Sequence, residues 1–301
     1  MKPFIMNKLH LTVLINFFCL ALFTTSCETT TEDKPVDTTT TTTNASNDNS
    51  SADLVVQIDS TGVLDSIQNK HSSAYERVQF PSLDSLLIDA NYYPVSPTAP
   101  TVLLCHQARW NKYEYDSIAV VLQEKGYNCL ATDQRSGGIM NLDGIHPINA
   151  TYQRATAAGL PTEYLDAEQD IIAAIDYLYT KNQQAIILWG SSYSSTLALY
   201  NGLNNDKVAA VISFSPGNYF SDQKGSLIPL IEASTKPFFI TSSKEEAEGI
   251  QNLIQSKTLS SQQVQFTPKA DGYHGSRALW ASKVGHEEYW TALINFLESL
   301  K

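Results

Sequence analysis

The sequence predicts one α/β domain from residue 75 to the C-terminus, a mostly parallel sheet covered by helices on both faces. Two observations predict it. Short apolar runs of strand length alternate with segments that carry apolar residues at helical spacing. This alternation follows an initial pair of strand-like segments, the order expected of an α/β sheet.

The elements follow in turn. "YERVQFPS" and "SLLIDANYYPV" read as a strand pair around Ser82 to Ser85, and "TVLLCH" is a short run of buried-strand length. "EYDSIAVVLQEKG" has helical spacing and a glycine stop at Gly126. Strand "YNCLATD", helix "DAEQDIIAAIDYLYTK", strand "QAIILWG", a helix from Ser194 to about Leu203 and strand "VAAVISFSP" come next. A short helical piece near "SLIPLIEAS" precedes strand "PFFITSS", helix "EEAEGIQNLIQSK", strand "QVQFTP" and a final helix over "SRALWASKVGHEEYWTALINFLESL". Residues 137–161 have no clean period and read as a long loop, of the kind that is usually functional.

The N-terminal quarter has another character. Lys2 and Lys8 precede an apolar run, Leu11 to Phe23, shorter than the roughly 20 residues that span a bilayer. With "TTSC" after it, residues 1–27 read as a secretory signal. They resemble a bacterial lipoprotein signal, which implies that Cys27 is lipidated and that the protein is exported and lipid-anchored, facing the periplasm or the cell exterior. Thr24 stands where that signal usually carries leucine. Residues 28–52, rich in threonine and nearly free of apolar side chains, cannot bury enough surface to offset the entropy of ordering, and read as a flexible linker. Residues 53–74 are either a short helix against the domain or the end of the linker.

The chain of 301 residues carries a net charge of −11, which disfavours nucleic acid and anionic lipid surfaces as partners and leaves the lipid anchor as the expected membrane contact. Cys105 and Cys129 both sit in strand-like sequence and read as buried small hydrophobes rather than a disulfide. No Cys/His spacing suggests a metal site, and no cofactor is expected.

In a sheet of this kind, ligands meet the chain just beyond the carboxyl ends of the strands. At one such end lies "WGSSYS". A nucleophile on a sharp strand-to-helix turn needs small residues two positions to either side, and Gly190 and Ser194 flank Ser192 in that way. Ser191 would bring Trp189 to the crowded position, and Ser194 falls inside the helix. Ser195 reads as helix surface or packing. After the last strand, "ADGYHGSRALW" sets His274 in a glycine-flanked turn, and "FFITSSKEE" offers Glu245 and Glu246 after the preceding strand. Serine, acid and histidine thus arrive in the order that this sheet topology demands.

Through "LLCHQA", "NCLATDQRSGG", "LWGSSYS", "SFSPGNYF" and "YHGSRAL", the chain resembles the α/β-hydrolase family, in particular its small carboxylesterase and dienelactone-hydrolase-like branch. The resemblance implies an eight-stranded sheet, Ser192 as nucleophile and His274 as general base. Counted from Pro237, the family's acid position falls on Glu246, with Glu245 as the alternative. Two N–H donors are implied for the oxyanion: the amide of Tyr193 and one from "CHQA", where Ala108 matches the family's third turn position and Gln107 is the alternative. Gln107 replaces the glycine usual in that turn. His106 is expected to shape the turn, and Asp133 and Arg135 to brace the strand end beside it.

The function so implied is hydrolysis of esters with small or medium acyl groups through an acyl-enzyme. Amide, thioester and lactone bonds are alternatives on the same motifs. An inactive tethered binding protein is the competing class, against which the complete ordered set of three residues argues.

Overall fold

The computed structural model describes residues 75–137, 148–255 and 257–301, all within one unit of the chain. The signal, Cys27, the linker and residues 53–74 lie outside them, as does part of the predicted long loop.

Eight strands form a single sheet in the order β1-β2-β4-β3-β5-β6-β7-β8. They are β1 Glu76–Pro81, β2 Leu87–Tyr93, β3 Thr101–Cys105, β4 Asn128–Thr132, β5 Ile186–Ser191, β6 Val208–Phe214, β7 Phe238–Thr241 and β8 Gln263–Phe266. Strand β2 pairs antiparallel with both β1 and β4, and β3 to β8 run parallel. Every predicted strand is present.

Strands covered on both faces read as continuous apolar runs, and the alternation of side chains sorts them. In β5, Ile186 and Leu188 join one core cluster while Ile187 and Trp189 join the other. The first cluster is closed by α3 Glu168–Asn182, α4 Tyr193–Gly202, α6 Leu227–Ala233 and α7 Ala247–Ile254, the second by α1 Asp116–Glu124 and α8 His286–Ser299. Two further helices, α2 Ala150–Ala157 and α5 Ser221–Lys224, lie in connections.

Three predicted boundaries differ. Residues 150–157 are helical rather than loop. Asn149 caps the helix by accepting the Tyr152 amide at 2.7 Å, and Thr151 accepts the Asp89 amide at 2.9 Å. Only Thr151 and Ala155 of this helix are buried, so its apolar stripe is too thin to show a period. The final helix starts at His286, not Ser276. Residues Ser276–Leu279 form a 3-10 turn, Trp280 is extended, and Gly285 takes φ 83°. Helix α7 ends at Ile254 because Gln255 turns to φ 48°.

Candidate active site

The carboxyl ends of the parallel strands carry the predicted residues. At the end of β5 the backbone turns sharply, and Ser192 adopts φ 58°, ψ −122° before α4 begins at Tyr193. A non-glycine residue at positive φ costs energy and persists only where its surroundings hold it. Three backbone bonds hold this one: the Ser192 amide donates to Phe214 O at 2.8 Å, and Ser192 O accepts the Ser195 and Thr196 amides at 2.9 and 3.3 Å. A Cβ at Gly190 would collide with the Ser194 backbone and come within 2.5 Å of Ser195 Cα, so the small residue is a requirement.

Ser194, where the family pattern has glycine, contributes bonds of its own. Its Oγ accepts the Ser191 amide at 2.9 Å and donates to Cys105 O at 2.8 Å, tying the turn to β3. Ser195 is fully buried, with its hydroxyl donating to Ser192 O at 2.6 Å. It is therefore part of the turn's interior and not helix surface.

His274 stands over the turn. Its Nε2 lies 2.7 Å from Ser192 Oγ, and Nδ1 bonds Glu246 Oε1. With Nδ1–H donating to the carboxylate, Nε2 presents a lone pair to the Ser192 hydroxyl. The other carboxylate oxygen of Glu246 accepts Ser215 Oγ at 2.8 Å, Ser243 Oγ at 2.9 Å and the Ser243 amide at 3.1 Å. Burial by itself raises the Glu246 pKa, but the bonds from His274, Ser215 and Ser243 outweigh it and hold the group down to about 2. The alternative acid, Glu245, is exposed and makes no bond to His274, whose carboxylate partner is Glu246. A cleft of about 910 Å³ opens beside His274, walled by Lys244, Glu245, Glu246, Asp271 and Tyr273; Ser192 is not among its walls.

Of the two candidate donors after β3, the Gln107 amide is committed to Glu114 Oε2 at 2.7 Å. The amides of Ala108 and Tyr193 take no partner among the described residues. Cys105 pairs with Gly190 across the sheet, so the β3 turn and the β5 turn are neighbours. His106 shapes the former. Its Nδ1–H donates to Gln107 O at 2.8 Å, and Nε2 accepts the Gln134 amide at 3.0 Å. Burial lowers its pKa to about 4, so the ring is neutral at pH 7. Asp133 accepts the Lys112 amide and ammonium at 2.8 and 2.7 Å, and Arg135 pairs with Asp84 and Asp170 at 2.6 and 2.7 Å, bracing the strand end as expected.

Two residues that matter here escaped the sequence reading. Ser215, at φ 57° after β6, links Glu246 to the Gly275 amide, which it accepts at 2.9 Å. Glu114 is buried behind the turn with Ser191 as partner, Oγ to Oε1 2.7 Å. The position of Ser215 just past a strand end was the signal available for it; Glu114 had none.

Comparison with known proteins agrees with this fold. An esterase of Pyrococcus furiosus superposes with a TM-score of 0.57 at 16% identity, over 77% of this chain and 93% of that one. Esterase 2 of Thermogutta terrifontis, phosphoramylated by tabun, superposes with a TM-score of 0.53 at 14% identity, over 75% and 95%. The chain has the α/β-hydrolase fold. No family model matches it. In sequence it is 26% identical over 146 residues to the acyltransferase drtE of Aspergillus calidoustus, which spans 48% of this chain and 44% of that protein's length. In the α/β-hydrolase fold the connection between β6 and β7 can carry a lid; here it holds only the short helices α5 and α6, with Phe220, Leu227 and Ile231 packed into the core.

Proposed function

We propose that the chain is a serine hydrolase that cleaves esters with small or medium acyl groups. Ser192 is the nucleophile, His274 the general base and Glu246 the carboxylate that orients it. The observation that carries this reading is the linked series Ser192, His274 and Glu246 on a turn that holds Ser192 at positive φ. Serine is a weak nucleophile at its free pKa, so His274 Nε2 takes the Oγ proton as Oγ attacks the carbonyl carbon. Glu246 stabilises the imidazolium that results. The oxyanion gathers at the amides of Tyr193 and Ala108, and each such donor is worth about 3 kcal/mol in the transition state. His274 then protonates the leaving alcohol, and water releases the acyl group by the reverse sequence.

Support for esters comes from the esterases among the structural neighbours, one of them modified by an organophosphorus compound. The short β6–β7 connection favours small and medium acyl groups. The partial likeness to an acyltransferase fits the same acyl-enzyme, which an alcohol acceptor could resolve in place of water. Hydrolysis of a chain-length series of p-nitrophenyl esters tests the reading. Activity on short chains that disappears in Ser192→Ala is expected; equal activity in that variant would overturn it.

We further propose that residues 1–27 direct export, that Cys27 is the lipid attachment site, and that residues 28–52 tether the domain of residues 75–301 outside the cytoplasm. Cys27→Ala should abolish lipid labelling and membrane association in a bacterial host. Unchanged labelling would contradict the anchor.

A further inference from the structure

Glu114 lies in the 3-10 turn Lys112–Tyr115, is 0% exposed, and has no part in the chemistry proposed above. Its carboxylate takes donors from two different turns: the Gln107 amide at 2.7 Å to Oε2, and the Ser191 hydroxyl at 2.7 Å to Oε1. Ser191 Oγ in turn accepts the Ser276 amide at 2.9 Å, and the backbone carbonyl of Glu114 accepts Trp280 Nε1 at 2.9 Å. Gln107 precedes Ala108, Ser191 precedes Ser192, and Ser276 stands two residues beyond His274. One carboxylate and one hydroxyl therefore join the three segments that carry the oxyanion donor, the nucleophile and the base. The fit is close. A Cβ on Gly275 would come 2.6 Å from Ser191 Oγ and 3.2 Å from Gln107 Oε1.

A buried carboxyl is an expensive way to fill this space, because taking the charged form out of water is unfavourable and an apolar side chain would avoid it. Burial pushes Glu114 up to about 7, against the lowering effects of the Gln107 and Ser191 bonds and of Arg277 and His274. The buried phenols of Tyr115 and Tyr193 lie near enough for the Glu114 charge to raise their pKa values further. A costly group that persists beside a reaction centre points to a role there.

We propose that Glu114 is a positioning residue that holds the oxyanion turn, the nucleophile turn and the histidine segment in their working alignment. The proposal rests on Ser192 being the nucleophile. Neither Glu114 nor Ser191 touches the reacting atoms, so their loss should misalign the transition state while leaving ground-state binding nearly intact.

Steady-state hydrolysis of p-nitrophenyl acetate by the full chain tests it, with Glu114→Gln, Ser191→Ala and the double variant. In Glu114→Gln, kcat is expected to fall about ten- to a hundredfold with KM within about twofold. Ser191→Ala is expected to lose about tenfold in kcat, and the double variant to be no worse than the poorer single one, since both act through one connection. A kcat for Glu114→Gln within about twofold of the parent, or losses that multiply in the double variant, would overturn the proposal. Should Glu114→Gln fail to fold, Ser191→Ala decides, and an unchanged kcat overturns it. A parent protein that neither hydrolyses the ester nor reacts with a fluorophosphonate overturns the Ser192 reading itself, a failure visible before any variant is made.

Discussion

Ser215 Oγ donates to Glu246 Oε2 at 2.8 Å while accepting the Gly275 amide at 2.9 Å, so one hydroxyl couples the acid to the residue after His274. Removing it as Ser215→Ala deletes a bond to a charged group, worth about 1.5–3 kcal/mol, and frees the histidine segment. We expect kcat to drop at least about tenfold. The Glu246 pKa should rise as well. The folded protein holds this group at about 2 against an ordinary 4.5, so the stability linked to it is present above 4.5 and lost as pH falls toward 2. In Ser215→Ala the gap between the folded and the ordinary value narrows, so the fall in stability between pH 4.5 and 2 should be smaller than in the parent, as acid-unfolding curves will register.

The assignment of the acid is tested by a pair of variants. Glu246→Gln should lower kcat by about 10³–10⁴-fold, because an amide cannot fix the same tautomer or stabilise the imidazolium. Glu245→Gln, at an exposed position that makes no bond to His274, should stay within about twofold of the parent, the usual range for a surface change. Loss confined to Glu245→Gln in the ester assay would reverse the assignment.

Glu114 makes a distinct prediction for stability. Its folded pKa of about 7 lies above the ordinary 4.5, so the fold favours the protonated form. Its contribution is fully present below pH 4.5 and is lost as pH rises through 7. Glu114→Gln, which cannot ionise, should therefore gain Tm relative to the parent on going from pH 5 to pH 8. Thermal melts at the two pH values measure the difference. A variant that is relatively more stable at pH 8 yet slower in catalysis is the expected signature of a group kept for function at the expense of stability.

The nucleophile turn predicts its own fragility. Gly190→Ala forces the α4 backbone away and should destabilise the protein by at least about 1–3 kcal/mol in urea unfolding, with loss of activity. Ser194→Ala introduces no clash but removes the buried hydroxyl and its bonds to Cys105 O and the Ser191 amide. It should cost about 1–2 kcal/mol and less activity.

What the sequence made legible, and what it hid, follows from the range of the interactions involved. The parallel strands were readable because burial on both faces leaves them almost wholly apolar, as in Ile186 to Trp189. The register of the turn was readable because crowding at Gly190 and Ser194 is a local constraint. The order in which Glu246 and His274 arrive at the strand ends was readable because topology sets it. Glu114 was hidden because it opens a segment that looks like a helix with a charged surface, and only distant partners, Ser191 among them, bury it. Helix α2 was hidden for a like reason: it is held by the Asn149 cap and by Arg154 against Asp89, not by an apolar stripe. The start of α8 depended on Gly285 adopting φ 83° and on Trp280 reaching Glu114 O, neither of which a period reports.

Whether Ser192 is an activated nucleophile is read out by covalent labelling. The full chain is treated with a fluorophosphonate, and the adduct is located by peptide mass spectrometry. Stoichiometric modification of Ser192 is expected, with none in folded Ser192→Ala and slower labelling in Glu246→Gln. A folded parent that stays unmodified, or a Ser192→Ala variant labelled as fast as the parent, would contradict it.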